Sequence, residues 1–174
     1  MNGFILFASG NDLSVNSPGV PEGGMIETRF LDEKDEELKR LNQSLQSLLS
    51  KRLIDSSRPV AGNILHLIDQ GKNYDSRVLS DSYYLTGVFY LLEEDYSKSI
   101  RFLDLFVILK EKRQESDESM SKALFNIGLA NFELGNFYNS KDYSIRALEL
   151  EKNFFGESSP KLITAYASII ISCI

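Results

Sequence analysis

"ALFNIGLANFELGNFYNSKDYSIRALELEKNFFGESSPKLITAYASI", Ala123 to Ile169, spaces its apolar residues as a helix does, yet carries glycines at 128 and 135. A glycine inside a helix costs about 1 kcal/mol relative to alanine, so each glycine needs a reason. Gly135 lies between two apolar stripes, where a helix-ending residue of positive φ belongs. "LGNF" therefore reads as a turn, with Phe137 plugging its elbow. Gly128 lies mid-helix. It predicts that the antiparallel partner helix comes too close for a side chain, with the small residues Ser140 and Ala147 forming the other side.

The same spacing occurs upstream. "DSYYLTGVFYLLEEDYSKSIRFLDLFVILKEKRQ", Asp81 to Gln114, lies over Lys122 to Gly156 without a gap through their first halves. Tyr83 falls on Leu124, Gly87 on Gly128, Tyr96 on Phe137, Ser99 on Ser140 and Leu103 on Ser144. The two glycines are 41 residues apart. Glu94 falls where Gly135 does, which predicts a different helix stop there. A third copy opens after Pro160, where Tyr166 and Ile169 take the places of Leu124 and Ile127. Self-similarity at such a period is the signature of stacked helical pairs.

Ahead of the repeats, residues 1–29 lack helical period. "SGNDLSVNSPGVPEGG" collects Gly, Ser, Asn and Pro, which is loop chemistry, and predicts a flexible or extended segment. Its "FILF" suits a short strand, an insert into a groove or a disordered piece. From Phe30, "FLDEKDEELKRLNQSLQSLLSKRLID" sets Leu31, Leu38, Leu41, Leu45, Leu48 and Leu49 on one stripe. The acidic start and the basic Lys51 and Arg52 suit a helix dipole. "SSRPVAG" breaks the chain at Pro59, and a second helix, "AGNILHLIDQG", ends at Gly71. The expected organisation is a segment 1–29, a helix pair 30–72, and repeats over 76–174 (two copies plus the first helix of a third). That makes an all-α chain of about seven helices.

Composition narrows the function. The 174 residues suit one domain, and 43% apolar with 25% charged residues is a globular balance. A net charge of −6 with scattered lysines and arginines argues against nucleic acid, which needs a basic stripe. No run approaches the roughly 18 apolar residues of a spanning helix, so no membrane insertion is expected. "GFILFAS" is short and lacks the basic residue that precedes a signal peptide's apolar core. Cys173 is alone and His66 is the single histidine, which argues against an intrachain disulfide and against thiolate or multi-histidine metal sites. No phosphate loop or metal-ligand spacing occurs. His66 in "NILHLID" reads as a partly buried structural histidine, and the acids of "LDEKDEE" as a solvated helix start. No catalytic residue, metal or cofactor is expected; the chain reads as a non-enzyme inside the cell, in cytoplasm or nucleus.

The large apolar residue, mid-helix glycine, turn glycine with its aromatic and small second-helix residues together resemble the tetratricopeptide repeat. "RALELEKNFFGESSPKLITAYASI" is similar to the longer variety, of about 42 residues, found in kinesin light chains. The shared features are Arg146-Ala147-Leu148-Glu149, Gly156 and Pro160. Asn131, Ser144 and Phe106 depart from the family's usual residues, and Ser159-Pro160 stands where histidine-proline is common. The resemblance implies a right-handed superhelix of antiparallel hairpins whose first helices line a concave groove. It implies a module that binds another protein or peptide, an adaptor or scaffold segment.

The groove would be lined by Asp81, Tyr84, Leu85, Val88, Leu91 and Leu92 in one copy. The next would offer Lys122, Phe125, Asn126, Leu129, Phe132 and Glu133, with Asn126 pairing to a peptide backbone. The groove is either open or closed by the N-terminal helices or "FILF". Only Lys122 and Asn126 fit a carboxylate clamp, which argues against a chaperone-tail binder. Ile169, Ile170, Ile171 and Ile174 are too apolar for a capping helix. They predict that a partner or a second copy of the chain covers this end, or that the chain is a piece of a longer array. The rival to peptide binding is a structural domain that self-associates as a homodimer through Ile169, Ile170 and Ile174.

Overall fold

A computed structural model of the chain describes residues 22–71 and 73–156, with side chains from Lys34 on. Over these residues the structure is all-α, with six helices and no strand: α1 Glu22–Ser50, α2 Ile54–Asp69, α3 Ser76–Leu92, α4 Tyr96–Lys112, α5 Glu118–Glu133 and α6 Phe137–Phe155. The chain divides into two compact units that meet in sequence at Val78 and Leu79, just inside α3. The segment expected to open a seventh helix after Pro160, the residues before Glu22, and Ile169, Ile170, Ile174 and Cys173 lie outside the described residues.

In the first unit α1 packs on α2, and Leu38, Leu45 and Leu49 of α1 and Ala61, Ile64 and Leu67 of α2 are the apolar residues buried there, all 9% exposed or less. Burying a leucine or isoleucine fully is worth roughly 1.5–3 kcal/mol, so this seam holds the hairpin. Two expectations are corrected here. Helix α1 begins at Glu22 rather than at Phe30, because the glycine pair Gly23-Gly24 is a weak prior that the following helical residues outweigh. Pro59 does not break the chain but lies inside α2. The loss of one backbone bond and a ring clash cost about 3 kcal/mol, set against the burial of Ala61, Ile64 and Leu67 beyond it. Past α2, Gly71 takes φ +64, the expected stop. The return segment is tied to α1: Asp75 N–H donates to Asp35 at 3.0 Å, and the buried Asn42 amide donates to the Val78 carbonyl at 3.2 Å.

One turn is used four times among the described residues, once inside each hairpin and once between α4 and α5. Between α4 and α5, Glu115 N–H donates to the Lys110 carbonyl at 3.0 Å after Gln114 at φ +54. In the hairpins, Leu53 N–H donates to the Leu48 carbonyl at 3.0 Å, Asp95 N–H to Tyr90 at 2.9 Å, and Asn136 N–H to Asn131 at 2.8 Å. The residue before each donor, Arg52, Glu94 and Gly135, is left-handed with φ of +56, +61 and +76. This is the Schellman stop, which satisfies carbonyls at a helix end. The different stop expected at Glu94 is therefore not found. A left-handed non-glycine residue costs about 1–2 kcal/mol, and helices packed on both sides hold it there. Arg52 likewise caps α1 from beyond its end instead of serving as a basic last turn. Four residues into each second helix stands a buried serine: Ser57, Ser99 and Ser140 are 2% exposed or less. The α1–α2 hairpin thus shares its turn and its buried serine with the two later hairpins, a likeness the sequence did not reveal.

In the second unit Leu103, Phe106 and Val107 of α4 meet Met120, Ala123, Leu124 and Ile127 of α5 and Ala147 of α6 in one core. Phe106, which departs from the family's small residue, is 1% exposed and fills the centre of it. A β-carbon on Gly87 would stand 2.6 Å from the Leu103 Cγ. On Gly128 it would stand 2.8 Å from Ser144 Oγ and 3.2 Å from the Ser140 carbonyl. The close approach is as expected, but the partner beside Ser140 is Ser144 and not Ala147.

Candidate partner-binding surface

The residues expected to line a groove lie on α3 and α5, the first helices of the second and third hairpins. Their placement depends on where α5 begins. Asp117 caps α5 by accepting from Ser119 N–H at 3.0 Å and Met120 N–H at 3.2 Å, and its other oxygen pairs with Lys110 Nζ at 2.6 Å. Lys110 also reaches Glu115 at 3.3 Å, Glu115 holds Arg113 at 3.1 Å, and Arg113 donates to Ser80 Oγ at 3.2 Å. Burial raises the Asp117 carboxyl, but the hydrogen bonds from Lys110 and Ser119 outweigh it and leave its pKa below the ordinary range. The network ties the α4–α5 connection to α3 and sets the register of α5.

On α3, Tyr84, Val88 and Leu91 are half-buried. The Tyr84 ring packs 5.1 Å from that of Phe106, and burial, then the Glu118 carboxylate, push its hydroxyl up to about 12. It is a neutral, core-facing aromatic at any physiological pH. Leu85, expected on the groove, is 5% exposed and belongs to the interior; its place one helical step from Tyr84 turns it inward. Asp81 and Leu92 are exposed.

On α5, Lys122 pairs with Glu118 at 3.1 Å one turn back, beside the hydroxyl of Tyr84. Phe125 is half-buried against the same core as Tyr84. Asn126 is half-buried, Leu129 is 41% exposed, Phe132 is half-buried and Glu133 is exposed. Spacings of three and four place these six on one side of the helix. At the start of α5 the structure thus sets Tyr84 and Phe125 against one core, with Glu118, the partner of Lys122, acting on the Tyr84 hydroxyl. Leu129, Phe132 and Glu133 gather at its other end.

Two further expectations differ from what is found. Phe137 does not plug the elbow: it is 53% exposed, the first residue of α6, with its ring edge-to-face on Phe132 at 5.5 Å. His66 is exposed on the last turn of α2, its Nε2 at 3.0 Å from the Gln70 side-chain nitrogen. Sequence reasoning also missed Leu134 and Tyr138, 43% and 85% exposed. The adjacent Phe-Tyr pair just after a turn glycine was the available signal, because both cannot face one core.

No helix among the described residues is long and apolar enough to cross a membrane. No protein-family model and no curated protein sequence matches this chain.

Proposed function

We propose that the chain is a tetratricopeptide-like module that binds another protein or peptide along the α3 and α5 faces. In this proposal the hairpins stack into a right-handed superhelix, and the module acts inside the cell, in cytoplasm or nucleus, as an adaptor or scaffold segment without catalysis. The observation that carries it is the α5 side from Lys122 to Glu133. Phe125, Leu129 and Phe132 are not fully buried there, with the Asn126 amide among them. Apolar area of that kind supplies binding energy, and one amide sets the register of an extended chain.

Partner proteins captured by the purified chain should be lost with Phe125→Glu and reduced with Asn126→Ala, a change that leaves the core untouched. Circular dichroism must show both variants folded. Retention of the same partners by both would remove the α5 face from consideration.

The isoleucines Ile169, Ile170 and Ile174 support a second reading, self-association of the chain. Light scattering over a concentration series separates the two. A monomer ends the self-association reading, and a dimer dissolved by Ile170→Glu makes that surface the assembly site.

A further inference from the structure

Around the α5–α6 turn the structure leaves several large apolar side chains in water. Leu129, Leu134, Phe137 and Tyr138, each at least 41% exposed, fall within ten consecutive residues. The contact of Phe132 with Phe137 joins the rings into one surface. Single exposed hydrophobes are ordinary, whereas a contiguous patch with a polar rim marks an interaction site.

The rim is acidic. Residues 90–96 and 129–138 contain Glu93, Glu94, Asp95 and Glu133 and no lysine or arginine. Lys98 pairs with Asp95 at 2.6 Å, while Glu94 and Glu133 stand exposed. Burial, then the Glu133 and Glu94 carboxylates, raise the Tyr96 hydroxyl above its ordinary value, which places the ends of α3 and α5 on the same edge.

We propose that this turn edge docks a basic amphipathic segment of a partner protein. Its apolar side chains seat on Leu134, Phe137 and Tyr138, and its lysines or arginines face Glu94 and Glu133. The proposal rests on the reading of the chain as a protein-binding module, and extends the α5 face past Glu133 around the turn and states the chemistry of what that edge takes. Carboxylates beside aromatic faces favour cations twice, by charge and by attraction to the ring face. An acidic or purely apolar segment gains neither.

The test uses the full chain and two fluorescently labelled synthetic peptides of equal length, one alternating Lys with Leu and one Glu with Leu, read by anisotropy. The Lys/Leu peptide should bind and the Glu/Leu peptide should not, with affinity falling as salt rises. Tyr138→Ser, at the most exposed position, should weaken binding about 5-fold, as should Glu94→Gln with Glu133→Gln, each near 1 kcal/mol. Removing two charges elsewhere, by Glu37→Gln with Glu149→Gln, should leave it unchanged. Asn126→Ala should also leave it unchanged. Loss with Asn126→Ala but not with Tyr138→Ser overturns the turn-edge proposal while the α5-face reading stands. Failure of the Lys/Leu peptide to bind overturns it too, as does equal loss with the remote charge pair.

Discussion

Gly128 and Ser144 meet where α5 crosses α6, so closely that a β-carbon on the glycine would lie 2.8 Å from the serine hydroxyl oxygen. The Ser140 carbonyl, 3.2 Å from the same point, is backbone and cannot swing away. The side of α5 that carries Asn126 and Leu129 is presented by a helix held at this contact.

Gly128→Ala should therefore lower stability by about 1–3 kcal/mol, although alanine is the better helix former by about 1 kcal/mol. Gly62 supplies the contrast. It lies inside α2 with nothing within 4 Å of a built β-carbon, so Gly62→Ala should raise stability by about 0.5–1 kcal/mol. Urea denaturation of the two variants reads both signs. A gain at both sites would mean that the α5–α6 contact is looser than the geometry states.

The repeated turn predicts opposite effects at equivalent positions. Glu94→Gly relieves a left-handed residue and should stabilise by about 1 kcal/mol, while Gly135→Ala should destabilise by a similar amount. Thermal melts of both are the measurement. Destabilisation by Glu94→Gly would show that the Glu94 side chain does more at that turn than cap it.

Thr86 is fully buried, and within the described residues its hydroxyl has no hydrogen-bond partner. An unsatisfied buried hydroxyl costs about 1–3 kcal/mol. The near-isosteric Thr86→Val should raise the denaturation midpoint. If the midpoint falls instead, the hydroxyl is satisfied in solution, for example by a bound water.

Two carboxylates should give opposite pH signatures. Burial raises Asp104 above the ordinary range, against the hydrogen bond at 3.1 Å donated by the Tyr143 hydroxyl and the pull of Arg146. Its folded-state pKa exceeds the unfolded one, so ionisation costs stability above that pKa, and the cost vanishes as pH falls below the unfolded value. Asp104→Asn should stabilise at neutral pH, with the advantage shrinking in acid. Asp117 is depressed in the fold, so its contribution is complete above the ordinary carboxylate range and is lost as pH falls through its lower folded value. Asp117→Asn should destabilise at neutral pH and match the parent at low pH. Denaturation midpoints from pH 2 to 7 distinguish the pair.

Much of the local structure was legible because its causes are local. The 41-residue offset aligned Gly87 with Gly128, and the structure shows both pressed by a partner helix at that offset. The leucines from Leu38 to Leu49 announced the α1 stripe. The likeness of the α1–α2 hairpin to the later two escaped notice because Leu45 stands where they have the mid-helix glycines Gly87 and Gly128. Backbone conformation repeats there without the side chains that advertise it.

By itself the sequence determined that the described chain is helical, where most helices stop, and which glycine faces a neighbour, since period, propensity and small residues act within a few turns. Only the tertiary structure decided which apolar residues are core and which are surface. Leu85 and Tyr84 are adjacent and both apolar in the sequence, yet one is interior and the other half-buried. Phe137 looks like turn packing but stands in water, and Ser144 rather than Ala147 faces Gly128. Burial is set by the crossing of helices distant in sequence, and a pattern read along one helix carries no record of where the next one lies.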